Sequence, residues 1–187
     1  MRNKDREAIR RLLRHARYEV LPTATVEAKV LGSVPTDIPI TITASPSMGL
    51  ERTVELAESL TARGYDVVPH LAARMVSGRP ELTELVERLT ATGVTNVFVP
   101  GGDAQAVGDY PDALSMLEDL TAMGSPFKDV GVAGYPESHP TINDDLTIQS
   151  MWDKRKHATY VVSNLTFDPG VVKDWVHRMR LRGINLP

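Results

Sequence analysis

Several residues able to move protons or orient a ligand recur along this 187-residue chain, each at or just beyond the end of a short apolar run. They are Glu19, Thr43 with Ser45, His70, Asp103, Tyr135 with Glu137 and His139, and Asn164. Carboxylates and imidazoles are general acid–base groups, while a phenol, a hydroxyl and an amide orient polar ligands by hydrogen bonding. The most informative run is Asn96-Val97-Phe98-Val99-Pro100-Gly101-Gly102-Asp103. A β-branched and aromatic segment bounded by glycine reads as a buried strand, and the glycines let the backbone turn tightly or approach a ligand closely. By itself Gly-Gly-Asp also suits an ordinary tight turn. A metal site is not expected, because His70 and His139 match no H-x-x-x-H or Cys/His spacing. Ser45 and Ser47 sit in no nucleophile elbow, which argues against triad chemistry.

The elements that position these groups alternate with a period of roughly 30 residues, the size of a βαβ step. An amphipathic lead-in helix is expected over Asp5–Arg17, with Ile9, Leu12, Leu13 and Ala16 at helical spacing among arginines. Strand Tyr18–Leu21 follows, then a short helix from Thr23 to about Leu31, and strand Ile38–Ala44. Helix Leu50–Arg63 closes at Gly64, strand Asp66–Pro69 leads to His70, and Pro80 opens a helix that ends at Gly93. After strand Asn96–Val99, Pro111 opens a helix that ends at Gly124, and strand Asp129–Ala133 leads to Gly134-Tyr135-Pro136-Glu137-Ser138-His139-Pro140. A helix over Asp144–Lys156, strand Thr159–Ser163 and a helix capped by Asp168-Pro169 and closed by Gly183 complete the pattern. Proline just inside helix starts and glycine just past their ends is the expected asymmetry. Such alternation argues for a parallel sheet covered by helices, either a barrel or an open doubly wound sheet. No dinucleotide or P-loop glycine pattern follows the first strand, which disfavours the open Rossmann form. In parallel α/β folds the loops after the strands carry the chemistry, and here those loops hold nearly all the polar candidates.

Composition bounds the function. The net charge is −3, so no basic excess suits a nucleic-acid backbone. Without cysteine there are no disulfides, thiolate metal sites or thiol nucleophiles. No apolar run approaches the roughly 20 residues of a membrane span, and the charged N-terminus lacks a signal-peptide core. A cytoplasmic protein with a single domain over residues 1–187 is expected, with no nucleic-acid or membrane partner.

Five ordered blocks carry a family resemblance: Tyr-Glu-Val-Leu-Pro at 18–22, Val-Pro-His-Leu at 68–71, Gly-Gly-Asp at 101–103, Gly-Tyr-Pro-Glu-Ser-His-Pro at 134–140 and Ser-Asn-Leu-Thr-Phe-Asp at 163–168. In this order they resemble the methylenetetrahydrofolate reductases. The stretch Met151-Trp152-Asp153-Lys154-Arg155 is similar to the shorter, actinobacterial-type members. The resemblance implies a (β/α)8 TIM-type barrel that binds FAD. It also implies hydride transfer from NAD(P)H through FAD to methylenetetrahydrofolate, giving methyltetrahydrofolate for one-carbon metabolism and methionine biosynthesis. By position, Glu19 is then the general acid that opens the folate's five-membered ring, and a desolvated pocket would favour its protonated form. Asp103 corresponds to the aspartate between flavin and pterin, and Asn164 to the folate-binding amide. Thr43, His70, Gly102, Asp103, Tyr135 and His139 correspond to flavin contacts, with Lys154 as a basic contact. Two departures stand out: Gly101 occupies the place of a basic pyrophosphate contact, and Asn164 that of a longer glutamine.

The count of strands is the largest departure. About six are legible before Ile184-Asn185-Leu186-Pro187, whereas this barrel closes with eight. The expectation is therefore an incomplete barrel, with the edges at Tyr18 and Ser163 unpaired and side chains such as Val161 uncovered. A further C-terminal segment or a homo-oligomer would then cover those edges. Against the active reductase stands a second reading, a non-catalytic truncated barrel that binds folate or a protein partner.

Overall fold

The computed structural model describes residues 3–187. Its elements are α1 (Asn3–Arg14), β1 (Tyr18–Val20), α2 (Val26–Ser33), β2 (Ile40–Ile42), α3 (Leu50–Ala62), β3 (Val67–Pro69), α4 (Arg79–Ala91), β4 (Asn96–Phe98), α5 (Ala113–Ala122), β5 (Asp129–Gly134), α6 (Asp144–Lys154), β6 (Tyr160–Ser163) and α7 (Pro169–Leu181). A single 3-10 turn, Ala73–Met75, interrupts what the sequence reads as plain loop between β3 and α4. Helix starts follow the expected chemistry. The Asp112 carboxylate caps α5 by accepting from the Ser115 amide, and Asp168 caps α7 by accepting from Gly170 and Val171. The glycines that follow α3, α4, α5 and α7 all take positive φ, the conformation that ends a helix without a Cβ clash.

Strands β1, β2 and β3 form one parallel sheet and β4, β5 and β6 another, each in sequential order. A parallel bridge from His70 to Phe98 joins the two, and the Leu71 amide donates to the Phe98 carbonyl at 2.8 Å. The order therefore runs from β1 to β6 without the reversal that marks a doubly wound sheet. This is an α/β arc of the partial-barrel type.

Helices cover the outside of the arc. Val54, Ala57 and Leu60 of α3, Leu82 and Leu89 of α4, and Met116 and Leu117 of α5 are fully buried against the strands. Because β3 is covered on both faces, all three of its residues are buried, which explains a run of apolar residues without alternation. Inside the arc Tyr160 crosses from β6 to β4, where its hydroxyl donates to Asn96 Oδ1 at 2.8 Å. The Arg17 guanidinium lies 5.5 Å from the centre of the same ring, spanning from the start of β1 toward β6.

Two expectations change. Helix α1 is amphipathic as read, yet Leu12 and Leu13 are 71% and 64% exposed, so its apolar stripe does not pack on the body. Its neighbour β1 pairs only with β2 among the described residues, so no covered strand layer lies there to receive it. Val161 was expected to be uncovered, but it is half-buried against the core and its amide donates to the Pro187 carbonyl at 2.9 Å. Exposure falls instead on Val162, Leu165 and Phe167.

The interior crossing by Tyr160 sets a steric test. A Cβ at Gly131 would lie 2.5 Å from Tyr160 Cζ, whereas one at Gly32 in α2 meets nothing within 4 Å. Gly131→Ala is expected to lower unfolding stability by about 1–3 kcal/mol through overpacking. Gly32→Ala should raise it by up to about 1 kcal/mol through helix propensity. Urea titrations of both variants check the contrast, and equal effects would contradict the interior position of the Tyr160 ring.

Candidate functional site

The C-terminal ends of the strands open on one cavity of about 1050 Å³, whose walls include Ala44, Met75, Phe98 and Met151. That is at the upper end of the range for small-molecule and cofactor sites. Glu19, Thr43 and His70 reach it from the first sheet, and Gly102, Asp103, Tyr135 and Asn164 from the second. His139, beyond β5, and Lys154 on α6 line it too, whereas Ser45 and Glu137, also singled out in the sequence, are not among its lining residues.

Each strand end fixes its side chain differently. The Thr43 hydroxyl donates to the Val20 carbonyl at 3.3 Å, tying the end of β2 to β1. His70 packs tilted on Phe98 with ring centres 4.6 Å apart, and its ring nitrogens have no hydrogen-bond partner among the described residues. Burial lowers its pKa to about 4, so near neutral pH the ring carries one donor and one acceptor and no charge. Tyr135 meets His139 edge-on at 4.7 Å. Its hydroxyl pKa is raised, first by burial and then by the Asp103 carboxylate. His139 Nδ1 accepts from the Thr141 and Ile142 amides, at 3.2 and 3.1 Å, which assigns the ring proton to Nε2. Gly102 turns the chain with φ 89° and delivers an exposed Asp103. Asn164, also exposed, is anchored by its backbone N–H, which donates to the Gly134 carbonyl at 3.0 Å.

Lys154 is the electrostatic anomaly. Only 9% exposed, it has no ion pair or side-chain hydrogen bond among the described residues. Burial lowers its pKa, and the Asp112 carboxylate partly opposes the shift. A buried ammonium without a partner is costly, and a cavity-lining one is compensated when an anionic group enters.

One expectation fails. Glu19 lines the cavity but is exposed, not desolvated at the bottom of an apolar pocket, because among the described residues β1 has a strand neighbour on one side only. Other wall residues carry no legible signal in the sequence. Arg74, in the 3-10 turn after β3, donates from Nε to the Pro111 carbonyl at 2.7 Å and from Nη1 to the Gly102 carbonyl at 3.3 Å. Trp175 enters from α7 and packs on Gly134, where an added Cβ would lie 2.8 Å from its ring. Asp112, the N-cap of α5, also faces Lys154.

The family model of methylenetetrahydrofolate reductase matches residues 23–187. The chain belongs to the methylenetetrahydrofolate reductase family. The matched span includes every anticipated site residue except Glu19, which precedes it. Membership makes the chain a folate-pathway reductase in type, and it agrees with a cavity at the strand ends, where α/β barrels keep their chemistry. Among the described residues no helix is long and apolar enough to cross a membrane.

The buried imidazole generates a pH prediction. A folded-state pKa near 4 against 6.5 unfolded means that the unfolded chain binds more protons between those values. His70 therefore lowers stability as pH falls from 6.5 toward 4 and adds no slope above 6.5. Replacing it in His70→Gln should flatten ΔG of unfolding against pH in that window. An unchanged slope in urea titrations from pH 7 to 4 would show that His70 titrates normally.

Proposed function

We propose that this chain is a reductase that moves hydride from NAD(P)H, by way of FAD, to methylenetetrahydrofolate, forming methyltetrahydrofolate. The observation that carries this reading is the family's match together with one cavity that gathers Asp103, the Tyr135–His139 pair, Asn164 and an unpaired buried Lys154.

The residues suit the groups they would hold. Lys154 gives the wall near Asp112 a cationic character that fits a pyrophosphate, although Gly101 offers no charge of its own. Neutral His70 and the Tyr135–His139 pair present hydrogen-bonding and aromatic edges to a flavin ring. When bound, FAD supplies the two-electron relay between nicotinamide and folate. Asp103 accepts from adjacent N–H donors of a pterin, and Asn164 offers an amide one methylene shorter than glutamine. Glu19 donates a proton to the folate nitrogen as the five-membered ring opens, and the resulting iminium carbon accepts the hydride to become a methyl group. The incoming proton goes to nitrogen and the incoming electron pair to carbon, so the reduction balances.

A second reading, a folate-binding barrel without catalysis, is favoured by one observation: Glu19 is exposed and lies outside the matched span. The discriminating variant is Glu19→Gln. In a reductase it abolishes folate reduction while the visible flavin band is still bleached by reduced nicotinamide and electrons still reach an artificial acceptor. If both half-reactions fall together, the acid role is wrong; if the purified protein neither holds flavin nor reduces folate, the second reading stands.

Lys154 supplies a separate check. Removing an unpaired buried charge in Lys154→Met is expected to raise the thermal midpoint. It should also weaken FAD binding about tenfold to a hundredfold, the worth of a charge-assisted hydrogen bond. A lower midpoint with unchanged flavin affinity would assign the lysine a structural role instead.

A further inference from the structure

Between β4 and α5 the chain runs through residues 99–112 without regular structure, and this segment carries Asp103. Its far end is well anchored. Tyr110 is buried, and its hydroxyl donates to Asp119 Oδ2 of α5 at 2.7 Å. Its near end extends the pairing of β3 with β4: the Ala73 amide donates to the Pro100 carbonyl and the Arg74 amide to the Gly101 carbonyl, both at 3.0 Å. There the backbone ladder on this side stops.

The next carbonyl, that of Gly102, is held by the Arg74 side chain. The same guanidinium holds the Pro111 carbonyl, so one planar group bridges both stems of the loop immediately before Asp103 and immediately before α5. The middle of the loop returns to the same turn: the Val107 amide donates to the Arg74 carbonyl at 3.0 Å and the Asp109 amide to the Ser77 carbonyl at 3.1 Å. Gly108 lies so close to Ser77 that an added Cβ would sit 1.8 Å from its carbonyl oxygen, which requires glycine there. Asp103 itself is exposed and has no side-chain hydrogen bond or ion pair among the described residues. Its location is therefore set by its backbone alone, and that backbone depends on Arg74.

We infer that Arg74 is a positioning residue that acts through Asp103: by clamping the Gly102 and Pro111 carbonyls it holds the aspartate at the cavity rim for a ligand with adjacent N–H donors. A lysine could not replace it, because a single ammonium lacks the rigid fork that reaches two carbonyls at once. The ligand class rests on the pterin reading proposed above; the clamp does not.

The test uses the 187-residue chain in five forms, wild type, Arg74→Met, Arg74→Lys, Asp103→Asn and the Arg74→Met/Asp103→Asn double variant, with tetrahydrofolate as the probe. Arg74→Met should speed hydrogen exchange at the 102–109 amides about tenfold or more while β4 and α5 amides keep their protection. Tetrahydrofolate affinity should fall about tenfold in the Asp103 background and by less than about twofold in the Asp103→Asn background, because the two residues act as one unit. Arg74→Lys should recover less than half of either loss. Unchanged exchange in the loop overturns the inference, as does an equal affinity loss in both backgrounds, which would mean that Arg74 contacts the ligand itself. If wild type binds no tetrahydrofolate, the pterin reading fails, and the exchange result alone decides the clamp.

Discussion

The whole site depends on the junction between β3 and β4. Two three-stranded sheets meet there through the His70–Phe98 bridge, and the Leu71 amide continues the pairing onto the Phe98 carbonyl. If that seam did not form, Glu19, Thr43 and His70 would belong to one sheet and Asp103, Tyr135 and Asn164 to another, with no common cavity. The seam uses an uneven set of materials. Backbone pairing is brief, so the tilted contact between the His70 and Phe98 rings and the burial of Val97, Val99 and Leu71 supply the packing that holds it. The 3-10 turn after β3 then carries the pairing outward into the loop of Asp103, so the same seam that joins the sheets also shapes the cavity rim.

Polarity inside the cavity is graded by burial. His70 is neutral because it is covered, and the Tyr135 hydroxyl resists ionisation because it is covered and faces Asp103. Lys154 is the most buried lysine or arginine among the described residues and has no ion pair or side-chain hydrogen bond there, a costly arrangement in a folded chain unless a ligand completes it. The carboxylates Glu19 and Asp103, by contrast, sit at exposed positions. The two carboxylates thus lie at the rim, and the covered His70, Tyr135 and Lys154 lie within.

What the sequence by itself determined is the succession of elements and the identity of the strand-end residues. Apolar runs of strand length, proline at helix starts and glycine past helix ends are local signals, and Pro80, Gly93, Asp168 and Gly183 stand where local chemistry puts them. The ordered blocks from Val68 to Asp168 all lie within the span that the family model matches. Only the tertiary structure decided which of them are buried and what holds them. Glu19 reads as a desolvated acid but is exposed, since burial depends on whether a neighbouring strand lies beyond β1. The stripe of Ile9, Leu12 and Leu13 reads as the apolar side of an amphipathic helix but stays largely exposed. Arg74 reads as one more charged loop residue and turns out to bridge carbonyls 28 and 37 positions away in the chain. Periodicity and capping are properties of neighbours in sequence. Desolvation and long-range hydrogen bonds are properties of neighbours in space, and no local pattern encodes them.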